Sequence, residues 1–160
     1  MINHKKVSSV LLSSLVVFSL LAGCGSDGKV SELESYEKDL LDFKSAVEDI
    51  GTKINEIDAT HDDCKNELLF YVDALKDDFK KLSELEIPEG YETVTRLNEK
   101  ATEYMSTAAD YFHTAFEGEV FDEDAYETAN TYYYKAFEFV NYTGQVIQGV
   151  DITFQSDMDS

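Results

Sequence analysis

Apolar residues recur along most of this chain at alternating intervals of three and four. Leu33, Tyr36, Leu40, Phe43, Val47, Ile50, Ile54 and Ile57 form the first run. That spacing lines up one face of an α-helix and predicts a helix from Ser31 to Ile57, locally weakened by Gly51. Cys64, Leu68, Val72, Leu75, Phe79 and Leu82 form a second stripe. Ile87-Pro88-Glu89-Gly90 breaks it, because a residue preceding proline is pushed out of the helical region. Val94, Leu97, Ala101, Tyr104, Ala108, Tyr111 and Ala115 make a third stripe, closed by Gly118. Ala129, Tyr132, Ala136, Phe139, Thr143, Val146 and Val150 make a fourth. Thr60 and Asp122 are the predicted caps of the second and fourth helices, since their side-chain oxygens can accept from orphan N–H groups.

Each predicted helix is about 25–28 residues, or roughly 40 Å. The connections are short, which favours antiparallel neighbours. The expected fold is therefore all-α: an antiparallel up-down-up-down four-helix bundle over residues 31–150, followed by a polar tail at 151–160. A three-helix layout with one long kinked hairpin is the alternative.

The front of the chain has a different pattern. His4, Lys5 and Lys6 precede a charge-free run from Val7 to Leu21, which ends in Leu21-Ala22-Gly23-Cys24. The run is long enough for the apolar region of a signal peptide and short for a stable membrane span. It resembles the signal peptide of bacterial lipoproteins, and Leu21, Ala22, Gly23 and Cys24 resemble the lipobox read by signal peptidase II. The resemblance covers about the first 24 residues. It implies that residues 1–23 are removed and that Cys24 carries a diacylglyceryl group, with acyl chains of the palmitate kind. Residues 24–30 would then be a lipidated tether on the extracytoplasmic face of the membrane. The remainder resembles the small bacterial lipoproteins of unknown function with helical mature domains, a likeness of fold and location only. Two acyl chains hold a protein firmly, each buried CH₂ contributing about 0.8 kcal/mol.

Charge narrows the partners. The full chain has 13 Lys and Arg against 33 Asp and Glu, a net −20. Loss of residues 1–23 removes Lys5 and Lys6 and no acid, so the mature charge is −22. Such a surface is repelled by nucleic-acid phosphate and by anionic lipid. Nucleic acid is excluded as a partner, and membrane contact is expected through the lipid on Cys24. With Cys24 acylated, Cys64 stands alone and no disulfide framework exists.

No nucleophile elbow, phosphate loop or metalloprotease motif occurs, so neither catalysis nor a cofactor is expected. His61 and Cys64 are three apart at the start of the second helix, and His113 lies near the end of the third. In the bundle all three fall near the membrane-distal end, where imidazole and thiolate could hold zinc or copper. The same residues also fit a small buried thiol and two surface imidazoles. The acids from Glu117 to Asp124 suit a hard cation in type, but lack the alternate spacing of an EF-hand loop. On the fourth helix Tyr133, Tyr134 and Phe137 fall off the apolar stripe. They cannot all point inward beside Tyr132, and exposed aromatics often mark contact surfaces. The expected function is a non-catalytic module that binds a protein or small-ligand partner, with Tyr133, Tyr134 and Phe137 as its surface. The alternative is a metal or small-ligand site at His61, Cys64 and His113.

Overall fold

The computed structural model describes residues 31–150 and Ile152. Residues 1–30, with Leu21, Ala22, Gly23 and Cys24 among them, lie outside the described residues, as does most of the tail. The described chain is all-helical: α1 (Glu32–Glu56), α2 (Cys64–Ser83), α3 (Glu92–Glu117) and α4 (Glu123–Ile147). None of these helices is long and apolar enough to cross a membrane.

Local chemistry sets the helix ends. Ser31 Oγ accepts from Glu34 N at 3.1 Å, and Glu34 Oε2 accepts from Ser31 N at 2.9 Å, a reciprocal capping box. Asp122 caps α4 as expected, accepting from Ala125 N at 2.9 Å. Thr60 does not cap α2. Its N–H and hydroxyl both donate to Asp58 Oδ1, at 2.9 and 2.7 Å, so it belongs to the preceding turn and α2 begins at Cys64. At 20 residues α2 is also shorter than the 25 to 28 expected, because it stops at Ser83, well before Pro88. Gly90 turns the chain towards α3 with φ +88°, a left-handed conformation that favours glycine.

The expected stripes of α1 and α2 are buried or half-buried throughout. Those of α3 and α4 are too narrow. Besides Val94, Leu97, Ala101, Ala108 and Ala115, α3 buries Asn98, Met105, Ala109, Phe112 and Phe116. Besides Ala129, Ala136, Phe139 and Thr143, α4 buries Tyr126, Asn130, Tyr133, Phe137, Val140, Gly144 and Ile147. The physical reason is the close packing of α3 on α4, from which Phe137 of α4 also reaches Phe79 of α2. The α3–α4 contact is the most extensive, α2–α3 follows and α1–α2 is the smallest. Alanines at 101, 108, 109 and 115 on α3 and at 125, 129 and 136 on α4 are buried, and such small side chains let two backbones approach closely.

Contacts run in opposite senses along α2 and α3 and along α3 and α4. Between α2 and α3, Asn98 Nδ2 donates to Leu82 O at 3.2 Å, Thr102 Oγ1 to Phe79 O at 2.5 Å, and Lys76 pairs with Asp110 at 3.1 Å. Between α3 and α4 the partners are Asn98 with Thr143, Tyr104 with Phe139, Tyr111 with Tyr132 and Phe116 with Tyr126. The Phe79 ring joins three helices, meeting Phe43 of α1 at 5.2 Å and Phe137 of α4 at 5.3 Å.

A polar knot ties the helices together inside this core. Asn98 Nδ2 donates to Tyr36 Oη at 2.9 Å as well as to Leu82 O, while Asn98 Oδ1 accepts from Thr143 Oγ1 at 2.9 Å. It touches every helix. Burial pushes the Tyr36 hydroxyl up to about 12, so it stays a neutral donor and acceptor.

Candidate functional site

The aromatics of α4 are not exposed where the stripe pattern placed them. Tyr133 and Phe137 are core residues, 6% and 8% exposed, and only Tyr134, at 40%, faces water. Phe137 reaches Phe79 across the interior, and the Tyr133 ring lies against it at 4.8 Å. Burial raises the Tyr133 hydroxyl above its ordinary value. Tyr133, Tyr134 and Phe137 therefore do not form a joint surface.

A different aromatic face is open to solvent. Tyr111 and Tyr132 stack at 6.0 Å with ring planes 5° apart, and Tyr132 meets Tyr104 at 5.9 Å. Tyr104 meets Phe139 at 5.3 Å, and Phe139 meets Tyr142 at 5.7 Å. The result is a continuous ladder of rings along the seam between α3 and α4. Tyr104, Tyr132 and Tyr142 are half-buried and Tyr111 is 38% exposed. The sequence reading assigned Tyr104, Tyr111 and Tyr132 to the core. They instead flank it, since the inner face is already filled by the second stripes of both helices.

Charge is concentrated on this ladder in an unusual way. Lys135 Nζ lies 5.4 Å from the Tyr104 ring centre and 5.7 Å from that of Tyr132. Lys100 Nζ lies 5.9 Å from Tyr104 and also pairs with Glu103 at 2.8 Å. Each cation–π contact contributes about 0.5–1 kcal/mol at an exposed site. Tyr142 donates its hydroxyl to Glu138 at 2.5 Å, which fixes that end. A row of rigid, amphipathic rings loses little side-chain entropy on binding, which suits it to protein contact. The seven-residue intervals from Tyr104 to Tyr111 and from Tyr132 to Phe139 were the sequence signal for this face.

The candidate metal ligands are not brought together. Among the described residues no group of three His, Cys, Asp or Glu side chains could hold a metal ion. His61 is exposed in the turn before α2, where its Nδ1 accepts from Asp63 N at 3.4 Å. Cys64 is half-buried, its Sγ 3.8 Å from Ala59 O. His113 is occupied on both ring nitrogens: Nδ1 lies 2.7 Å from Glu117 Oε1 and Nε2 lies 3.0 Å from Asp73 Oδ1. Glu117 thus belongs to an ion pair, and Asp122 to a cap.

Two carboxylates can both be satisfied only by the imidazolium, which donates from each nitrogen. The hydrogen bond to Glu117, then that to Asp73, raises the His113 pKa above its ordinary value. A raised folded pKa contributes stability that is complete below the unfolded value, about 6.5, and lost as pH rises through the folded value. The stability of the parent chain should therefore fall as pH rises from about 6.5, by about 0.5–1 kcal/mol for these largely exposed pairs. His113→Gln should flatten that slope in urea titrations followed by circular dichroism. An equal slope in both chains would remove this role for His113.

At the α3–α4 turn Phe112, Phe116, Phe121 and Tyr126 pack edge to face and tilted. Tyr126 Oη and Asn130 are buried there side by side, and Asn130 Nδ2 donates to Tyr126 O at 2.8 Å. Burial raises the Tyr126 hydroxyl.

No family model, curated protein or solved structure matches this chain.

Proposed function

We propose that this chain is an extracytoplasmic lipoprotein, held to the membrane by lipid on Cys24, whose helical part is a non-catalytic module for binding a protein partner. Residues 31–150 are read as an up-down-up-down four-helix bundle, and the opposed senses of contact along α2 and α3 and along α3 and α4 support that topology. The contact surface is the ladder of Tyr104, Tyr111, Tyr132 and Tyr142 with Lys100 and Lys135. The observation that carries this reading is the ladder itself: five contiguous rings, four of them partly open, with Lys100 and Lys135 lying over them. Support for the anchor comes from the charge-free run and its ending in Leu21-Ala22-Gly23-Cys24.

In this arrangement Ser31, the Pro88 turn and Val150 share the membrane-proximal end. The turns around His61 and Glu119 lie at the other. The ladder lies on the flank of α3 and α4, away from both ends of the bundle, so a partner would approach from the side.

One membrane fractionation tests both parts. Cys24→Ser should lose labelled palmitate and leave the membrane pellet. The double variant Tyr111→Ala/Tyr132→Ala should stay in the pellet but lose proteins retained by the parent and by Tyr134→Ala. Palmitate on the Cys24→Ser chain would overturn the anchor. Identical retained proteins in all variants would overturn the ladder.

A further inference from the structure

A cleft of about 270 Å³ opens between α1 and α2. Its floor includes Phe43 and Leu82, and its rim carries Asp39, Asp42, Asp78 and Lys81. The two sides run over residues 39–46 and 78–85, about two helical turns or roughly 10 Å each.

The rim charges are unevenly matched. Asp42 pairs with Lys38 at 2.5 Å, and Asp78 with Lys81 at 2.7 Å. Asp39 is half-buried and, among the described residues, makes no hydrogen bond or ion pair. A half-buried carboxylate beside hydrocarbon is undersolvated and gains most from a cation that brings its own apolar surface. An anion would be repelled, and a neutral apolar ligand would leave Asp39 with only the charge of its exposed neighbour Lys38, which is already paired with Asp42. A bare metal ion would find carbon on the floor where it needs converging oxygens.

We propose that the α1–α2 cleft binds a small organic ammonium ion, with its charge at Asp39 and its apolar body over Phe43 and Leu82. This site is separate from the tyrosine ladder and goes beyond it. Lys81 is an internal rival, since its ammonium already occupies Asp78 on the same rim.

The test is isothermal titration of the full chain in detergent micelles with benzylamine, which is protonated at neutral pH, and with benzyl alcohol as the neutral counterpart. Saturable binding of the amine and none of the alcohol is expected. Asp39→Asn should weaken amine binding by about fivefold. Asp124→Asn, which removes the same charge far from the cleft, should leave it unchanged. Lys81→Met should tighten it. Equal binding of amine and alcohol, no saturation by the amine, or equal losses in Asp39→Asn and Asp124→Asn would each overturn the proposal. Circular dichroism of Asp39→Asn guards against a folding defect, which is not expected because Asp39 holds nothing in place.

Discussion

Phe79→Ala is expected to destabilise the fold by about 3–5 kcal/mol, the range for removing a buried aromatic ring. Phe79 has no exposed surface. Its ring is the meeting point of α1, α2 and α4, edge-on to Phe43 and to Phe137. Three helices thus lose packing at once, and the cavity lies where none of them can close it alone. Phe70→Ala on the same helix makes the comparison, because Phe70 is 66% exposed and lies outside the core, with its ring against Tyr71. That change should stay within about 0.5 kcal/mol of the parent. Urea unfolding followed by circular dichroism at 222 nm measures both. Equal losses in the two variants would show that the ring of Phe79 is not where the helices are joined.

Asn98→Leu should cost about as much, for a different reason. The side chains are similar in size, so little volume is lost. The substitution strips a donor from Tyr36 Oη and Leu82 O, and an acceptor from Thr143 Oγ1, all inside the core. Leu82 O still accepts from Leu85 N, so two groups, Tyr36 Oη and Thr143 Oγ1, are left unmatched, at about 1–3 kcal/mol each and roughly 2–6 kcal/mol together. The triple variant Tyr36→Phe/Asn98→Leu/Thr143→Val removes the orphans along with the knot. It should recover more than half of the loss, since both unmatched hydroxyls are gone and Leu82 O still accepts from Leu85 N. If the triple variant is no more stable than the single one, the loss comes from packing and not from unmatched polar groups.

The heptad pattern carried the helices and much of the core, but it assigns one stripe per helix. That suffices for α2, whose buried residues Leu68, Val72, Leu75, Phe79 and Leu82 are the expected ones, joined only by Leu69. It fails for α3 and α4, where their close packing on each other buries a second stripe. A three-four rule cannot choose between neighbouring stripes when both are apolar. Phe112 and Phe137 therefore fall off the stripes yet are inside, while Tyr104, Tyr111 and Tyr132 fall on them and sit at the edge of the core. Asn98 was invisible for a related reason: nothing in a single polar letter says that Tyr36 and Thr143, far away in the chain, will close around it. Asp122 was legible because capping is local. Thr60 was not, because Asp58 two residues earlier offers its hydroxyl and N–H a competing acceptor. His113 needed Asp73, 40 residues away, before its role could be seen.

The uneven grip on the four helices has a mechanical consequence. Tension on the chain ahead of Ser31 falls on α1, which buries only Tyr36, Leu40 and Ile50 and has the smallest interface with its neighbour. Its links to the others, Tyr36 to Asn98 and Phe43 to Phe79, sit in the half that is loaded first. Under pull, α1 would peel away while α3 and α4 stayed zipped. Its 25 residues would then pay out as slack, up to about 85 Å of extended chain.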